Sequence, residues 1–589
     1  MLNIAALLLM KLITKNHTDK THLGTISCSG MLACILAIYT AGFFVSCNNG
    51  HQPPPPTAIV NTPEQMKEKV PDIIKKFVDH ISDNSGKLDD STFILQPALL
   101  QWIYEKSNYS PNWSKEEQWT PMADSAISFI RNSRLYGLFP DDYHLKDISF
   151  LQQQILNDSL HRKDAVLWSK ADLLITDALV QVINHVKLGR LQKDSITLRN
   201  DSALANEFYE EQLNKIFSAN SITTVIDSLE PAIQAYHDLK TGIKNFLDSA
   251  EFKDYTYVPF PVYDTIKFRQ ALQRRLFEQN LLRSADSTID SVALAQAIKK
   301  YQQQKKIKAD GKVGAETIRL LNGTDKNKFA RIAISLDKYK MLPGKMPEKY
   351  IWVNLPGYYL QLWDSDTVSL YSKVVVGKPL TRTPELNSAV SEMITYPQWS
   401  IPQSIIIKEI LPGLKKDPGY LQKKGYSLLD AKNEEVDPYF VDWSKYKTGI
   451  PYKVIQGSGD DNALGIMKFN FANKYAVYLH DTNQRYLFAQ STRSLSHGCV
   501  RVQAWQDLAN YILRNDSMYV LTEGKGSFTK ADSVSQWLKN KEKHSIPVRK
   551  KIPLFIRYFT CEGQKGKIVF YDDIYNEDRR LQEKYFAGK

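Results

Sequence analysis

The hydrophobic period of this chain changes once, and the change divides it. From about residue 64 to residue 264 the apolar residues recur at helical spacing. Leu173, Leu174, Ala178, Leu179 and Ile183 mark one face of a long helix that closes near Gly189. From Ile351 the period becomes two: Ile351, Val353 and Leu355 alternate, Tyr359 to Trp363 continue the pattern, and Tyr371 to Val376 is β-branched and aromatic. Helices and strands bury their apolar residues on differently spaced faces, so the switch predicts a multidomain α+β chain, with a mostly α domain over 64–264 and a mostly β domain over 349–525. With 589 residues and 43% hydrophobic content there is chain enough for several cores.

Two smaller units break the pattern. Residues 265–325 read as a separate small module. Asp290 caps a helix carrying Leu294, Ala295, Ile298 and Tyr301, the run Ala309-Asp310-Gly311-Lys312-Val313-Gly314 makes a tight turn, and Thr317, Ile318, Leu320 and Leu321 follow. Inside the β domain the strand signal lapses at about 402–451. Ile405 to Leu414 is helical there, Pro418-Gly419 turns, and Tyr420, Tyr426, Tyr439, Trp443 and Tyr446 supply most of an insertion's own core. Residues 526–589 add a polar helix, Phe528 to Asn540. A hairpin of Pro553–Thr560 with Lys567–Tyr571 across Glu562–Gly566 then returns to the sheet. The charged tail after Asp573 carries no pattern.

Chemistry concentrates between Tyr478 and Val502. His480 ends a short apolar run, and Ser496-His497-Gly498-Cys499 follows a polar loop. A thiol becomes a good nucleophile as the thiolate, and an imidazole can take its proton in an ion pair that depresses the thiol pKa. Gly498 permits a tight turn that aims the Gly498 and Cys499 amides at a developing oxyanion. Most single cysteines are small buried hydrophobes. Here, though, the cysteine stands before the strand-like Val500-Arg501-Val502 and a helix whose apolar face is Trp505, Leu508, Ala509, Ile512 and Leu513.

The run Ser496–Val502, with the upstream histidine of Tyr478-Leu479-His480-Asp481-Thr482, resembles the signature of the YkuD-type L,D-transpeptidases, which crosslink bacterial peptidoglycan. Val374–Gly377, Arg382-Thr383-Pro384, Tyr396–Pro402, Asp417–Leu421 and Asp437-Pro438 look like the large YcbB-like branch, and the likeness covers most of the chain past about residue 90. The resemblance implies a helical scaffold domain over 64–264, a three-helix peptidoglycan-binding module over 265–325, and a catalytic domain whose insertion is a lid over the groove. It implies a cysteine acyltransferase. Cys499 would attack the third residue of a tetrapeptide stem and release the terminal D-alanine. His480 would move the proton, the backbone at Gly498 would hold the oxyanion, and a thioester would pass its acyl group to a diamino-acid side-chain amine, giving a 3→3 crosslink. Resolution by water (an L,D-carboxypeptidase) or by a protein amine (a tethering enzyme) fits the same residues. A non-catalytic peptidoglycan-binding lipoprotein would not need both His480 and Cys499.

Other residues are candidates around this pair. Arg501 has the fork to bind a substrate carboxylate, or it pairs with Asp481. Tyr478 and Trp399 are candidate groove walls, and His497 would orient the loop. His480 would be oriented by a backbone carbonyl or by a side chain such as Asp481. No further His or Cys stands near at ligand spacing, so neither a metal nor a cofactor is expected.

The first 47 residues read as an export leader. Lys11, Lys15 and Lys20 precede an apolar run, Met31 to Val45, of the length of a signal-peptide core and short for a membrane span. Phe44-Val45-Ser46-Cys47 resembles a lipobox, making Cys47 the lipidation site; an uncleaved signal anchor is the other option. Either one tethers an exported, periplasm-facing chain to the membrane. Residues 48–63 form a linker stiffened by Pro53 to Pro56. Cys28 and Cys34 belong to the leader, which leaves Cys499 and Cys561 and no disulfide framework. The net charge of +12 is spread along the chain without a nucleic-acid motif, so it reads as a solvated basic surface, with no nucleic-acid partner.

Overall fold

The computed structural model describes residues 54–194, 197, 202–260, 262–285, 290–524 and 526–586, so the leader and Cys47 lie outside the described residues. Among the described residues no helix is long and apolar enough to cross a membrane. Helix α1 (Pro63–Asp83) starts where Thr62 accepts from the Gln65 amide, and it packs along α2 (Ala165–Lys187). α2 is apolar on nearly every side, as a central helix must be, and the other scaffold helices surround it. It ends at Gly189, whose φ of +89° a side chain would resist, and where a Cβ would come 2.7 Å from the Asp337 carboxylate.

The scaffold also buries acids that sequence alone leaves on the surface. Asp172 is 1% exposed and accepts from the Tyr104 hydroxyl at 2.6 Å and the Trp113 amide at 2.8 Å. Tyr104 and Trp113 thus meet in the core. Buried polar groups persist where their partners are present, and Asp172 has them.

After α3 (Gln234–Leu247) comes the small module of α4 (Thr265–Glu278), α5 (Ser291–Gln304) and α6 (Ala315–Asn322). Its core is Leu272, Leu276, Ile298, Tyr301, Ile318 and Leu321. The Asp310-Gly311 turn is held by Asp310 Oδ1, which accepts from the Lys312 amide at 2.9 Å. Helix α7 (Asp325–Lys340) then runs into the junction between scaffold and β domain.

The β domain opens with β1 (Lys349–Asn354), β2 (Tyr359–Asp364), β3 (Thr367–Gly377) and β4 (Leu386–Thr395). The insertion follows as its own three-stranded sheet: β5 (Trp399–Ser400), β6 (Tyr426–Leu429) and β7 (Lys453–Gln456), in the order β5–β7–β6. Its core gathers Ile406, Ile410, Leu411, Leu414, Leu428 and Trp443, with Tyr420, Tyr426 and Tyr446 packed on it; Tyr439 stays exposed. The main sheet resumes with β8 (Met467–Phe471), β9 (Leu479–His480), β10 (Ser494–Ser496), β11 (Val500–Val502) and, past helices α8 (Trp505–Glu523) and α9 (Ala531–Lys539), β12 (Ser545–Arg557).

The strand order β3–β11–β9–β8–β4–β12–β1–β2 closes where β2 pairs back to β3, so the sheet is a barrel, with β10 added beside β3. Closure removes the free edges of an open sheet. The alternation read from Ile351 onward fills its interior with Ile351, Val353, Leu360, Val374, Leu479 and Val500. α8 buries the expected face, with Leu508 and Ile512 both at 0% exposure.

Two expectations about the C-terminal segment are corrected. β12 lies between β4 and β1, while the hairpin is β13 (Cys561–Gln564) with β14 (Lys567–Phe570), a separate pair packed on α3. The tail is not idle either. It forms α10 (Glu577–Tyr585), and Lys338 of α7 reaches Glu577 at 2.9 Å, Asp578 at 3.0 Å and the Tyr558 carbonyl at 2.8 Å. Burial pulls the Lys338 ammonium toward neutrality, but Asp578 and Glu577 outweigh it and hold the charge. Cys499 and Cys561 are both free thiols.

Candidate active site

β9 and β11 are parallel neighbours, with Leu479 opposite Val500 and His480 opposite Arg501. Leu479 and Val500 point into the barrel, so strand alternation puts His480 and Arg501 outside it. Cys499 leads into β11 beside Tyr478, whose carbonyl accepts from the Val500 amide at 2.9 Å. On the other flank β8 pairs Lys468 with His480. The Lys468 ammonium sits 3.6 Å from the centre of the Tyr478 ring. The outer face of three strands therefore gathers Lys468, Tyr478, His480, Cys499 and Arg501.

The turn before the sulfur depends on glycine. Gly498 has a φ of +122°, and its nearest neighbour to a notional Cβ is 3.6 Å away, so conformation and not space excludes a side chain. Ser496 Oγ donates to the Cys499 carbonyl at 2.6 Å and accepts from the Gly498 amide at 3.1 Å. Thr383 Oγ1 donates to the Gly498 carbonyl at 2.8 Å. The Arg382-Thr383-Pro384 run thus braces the nucleophile turn from the end of β3. One expectation changes here. The Gly498 amide is occupied by Ser496, whereas the Cys499 amide makes no hydrogen bond among the described residues.

The electrostatics differ from a preformed ion pair. His480 is 3% exposed, and its Nδ1 lies against the Asp481 backbone carbonyl. Burial first, then the Arg501 and Lys468 charges, lower its pKa to about 3, against the pull of the Asp481 and Leu464 carbonyls. The ring is a neutral base at neutral pH. Burial likewise pushes the Cys499 thiol up, while the hydrogen bond at Tyr478 and the Lys468 and Arg501 cations draw it back toward the thiolate. No hydrogen bond joins His480 to Cys499 among the described residues; the sulfur faces the Ala476 carbonyl at 3.9 Å. Buried without a paired charge, a neutral thiol and a neutral imidazole are the stable resting forms.

The remaining candidates fall into place one by one. Arg501 does not pair with Asp481. It donates to Gln484 Oε1 at 2.8 Å, and its Nε is buried with no partner. Asp481 instead accepts from Arg485 at 2.8 Å and from the Ile466 amide at 3.1 Å. His480 is therefore oriented by the Asp481 backbone, not its carboxylate. Trp399 lies in the insertion's sheet, edge-on to Tyr426 at 6.3 Å between ring centres. His497 Nε2 meets Glu409 Oε1 at 2.5 Å, and Glu409 sits in a π-helical turn, Ile406–Ile410, of the insertion. That contact joins the turn before Cys499 to the insertion. π-Turns recur at functional sites because the extra residue re-aims a side chain.

Sequence reasoning missed Lys468. The alternation of Met467, Phe469 and Phe471 with polar residues was a strand signal, but only the β8–β9 register shows that Lys468 stands across from His480. Among the described residues no cluster of three or more His, Cys, Asp and Glu is arranged to hold a metal ion.

Residues 348–520, which hold this barrel, match the family profile described as an L,D-transpeptidase catalytic domain. A scaffold domain matches residues 98–242, and a domain described as "Putative peptidoglycan binding domain" matches 266–321, so the chain carries all three. It is 35% identical over 257 residues to a curated "Putative L,D-transpeptidase" of Haemophilus influenzae, an alignment covering 44% of this chain and 50% of that protein. The chain thus spans half the length of that relative. A solved structure of an L,D-transpeptidase (Yku) from Stackebrandtia nassauensis aligns with 44% of this chain and 91% of its own, at 16% identity and a TM-score of 0.14.

Proposed function

We propose that this protein is a peptidoglycan L,D-transpeptidase of the cell envelope that forms 3→3 crosslinks through a thioester on Cys499. The observation that carries the reading is the shared outer face of β9 and β11. There a glycine-turned cysteine, a buried neutral histidine and a half-satisfied arginine meet under an insertion latched at His497. In this mechanism the thiol sulfur bonds to the carbonyl carbon of the third stem residue as His480 takes the thiol proton. The Cys499 amide donates to the oxyanion. Collapse breaks the C–N bond, and His480 returns the proton to the departing D-alanine amine. An acceptor side-chain amine then attacks the thioester, His480 takes its proton, and the sulfur leaves to be reprotonated.

Each remaining feature has a place in that cycle. Lys468 and Arg501 stabilise the charge on sulfur while it exists. The free Nε of Arg501 suits a stem carboxylate. Closure of the insertion would exclude water and favour the amine over hydrolysis. Tethering through Cys47 would hold the body at the membrane face, and metabolic labelling with a palmitate analogue tests that part. The test of the chemistry is intact-protein mass after incubation with disaccharide-tetrapeptide, for the wild type and Cys499→Ala. An adduct that needs Cys499, together with a dimeric muropeptide, upholds the reading. Tripeptide without dimer makes the protein a carboxypeptidase.

A further inference from the structure

A cavity that the acyl transfer does not use lies on the outer face of β1, β2 and β3. Around the ring, β2 stands two strands from β11 and three from β9. On β1 and β2 the outward positions are aromatic or amide, and they meet Tyr371 of β3, in register: Tyr350 opposite Trp363, Trp352 opposite Gln361, and Gln361 opposite Tyr371. With the end of α7, the start of α3 and β13 they enclose about 280 Å³. That is close to the lower size of pockets that hold small ligands, and room for one or two sugar rings.

The lining is selective. Tyr350 and Trp363 stack 5.9 Å apart at 7°, and Tyr359 and Tyr371 stack 5.8 Å apart at 22°, so flat ring faces pave the floor. Tyr371 is 58% exposed at the mouth. Between the rings stand hydrogen-bonding groups: Gln361, Gln234, Gln564, Asp238 and Glu562. No Lys, Arg or His lines the cavity among the described residues, in a chain of net charge +12. An anionic ligand would find no counter-charge. An ammonium would find Glu562 engaged already, by Asn354 at 2.9 Å, Tyr571 at 2.9 Å and Tyr359, with burial raising its carboxyl pKa, and Asp238 accepting from Gln234 at 2.8 Å. Rings with amides and carboxyls between them suit a neutral polyhydroxyl ligand. Its C–H faces would lie on the rings and its hydroxyls and acetamido groups would meet the amides.

We propose that this cavity binds the saccharide chain of peptidoglycan, holding the glycan strand at a site whose lining shares no residue with the Cys499 site. The inference rests on the peptidoglycan reading above. It also separates two binding roles, one for the peptide and one for the sugar.

The test titrates β-1,4-linked N-acetylglucosamine tetramer into the full soluble chain by calorimetry, in the wild type and in Tyr371→Ala and Gln361→Ala. Saturable binding is expected for the wild type, with about tenfold loss in each variant, a tenfold change being 1.4 kcal/mol. Melting temperature and turnover of a sugar-free tetrapeptide should stay unchanged in both, which separates a lost contact from a lost fold. Binding that is absent in the wild type, or equally strong in both variants, overturns the proposal. So does binding of Nα-acetyl-lysine in place of the saccharide. Loss of the acyl adduct on Cys499 would defeat the transpeptidase reading alone, since the saccharide titration needs no chemistry.

Discussion

The two thiols of the folded chain sit in opposed surroundings. Cys561 is fully buried in the junction core, where its sulfur donates to Ser335 Oγ at 3.2 Å. Burial pushes its pKa up to about 12, and the Arg331 charge recovers little of that. Cys499 is also raised by burial, but it lies at a glycine turn on the outside of the barrel, between two cations and beside a neutral base. Both thiols are protonated at rest. The difference lies in what is within reach of the sulfur once the proton leaves. Reactivity here is a property of the neighbourhood.

The comparison can be broken most directly by deletion. Cys499→Ala should lower turnover of a tetrapeptide stem by about 10³-fold or more, while Cys561→Ala should leave it intact and cost about 1 kcal/mol of stability. Chromatography of muropeptide dimers reads the first and denaturant unfolding the second. Equal turnover of the two variants would mean that Cys499 is no nucleophile.

Acid comes next. The His480 pKa falls from an ordinary 6.5 to about 3 on folding, so the unfolded chain takes up a proton in that window and the folded one does not. Stability on this account is fully present above about pH 6.5. It is lost as pH falls toward 3, at about 1.4 kcal/mol per pH unit. The unfolding midpoint of His480→Gln, followed across this range, should lack that component. Such a variant should also lose about 10²-fold or more in acylation.

A third variant sharpens the role of charge. Lys468→Gln should slow alkylation of Cys499 by iodoacetamide about tenfold at neutral pH and move the pH profile of that reaction upward, because one of the cations favouring the thiolate is gone. Alkylation of Cys561 in the unfolded chain is the control. The smallest effect belongs to the contact between the insertion and the Gly498 turn. Glu409→Gln weakens a half-exposed pair to His497, worth about 0–1 kcal/mol. It should raise KM a few-fold with kcat nearly unchanged, as measured with the tetrapeptide.

Local patterns carried much of this architecture. The period change at Ile351 foretold a mostly β domain though not its closure into a barrel, the apolar face from Trp505 to Leu513 is the one α8 buries, and the glycine before Cys499 turns as expected. Partners that meet across long loops were not legible. The register of β8 on β9 brings Lys468 to His480, and pairing of Asp481 with Arg485 leaves Arg501 free for Gln484. Asp172, Glu577 and Asp578 carry no apolar signature, yet each is buried because donors from distant segments converge on it. Composition says that a residue is charged; only tertiary pairing says whether it is wet.

β12 lies between β4 and β1, so the barrel takes one of its inner staves from residues 545–557. The reactive strands near residues 480 and 500 are made earlier, but the ring they belong to stays open until that late stave arrives. During synthesis the unfinished sheet has two bare edges, β4 and β1, each able to pair with a stray strand. Maturation of the barrel is therefore tied to delivery of residues 545–557, and a chain cut short of residue 545 would be an open, adhesive sheet with Cys499 already made.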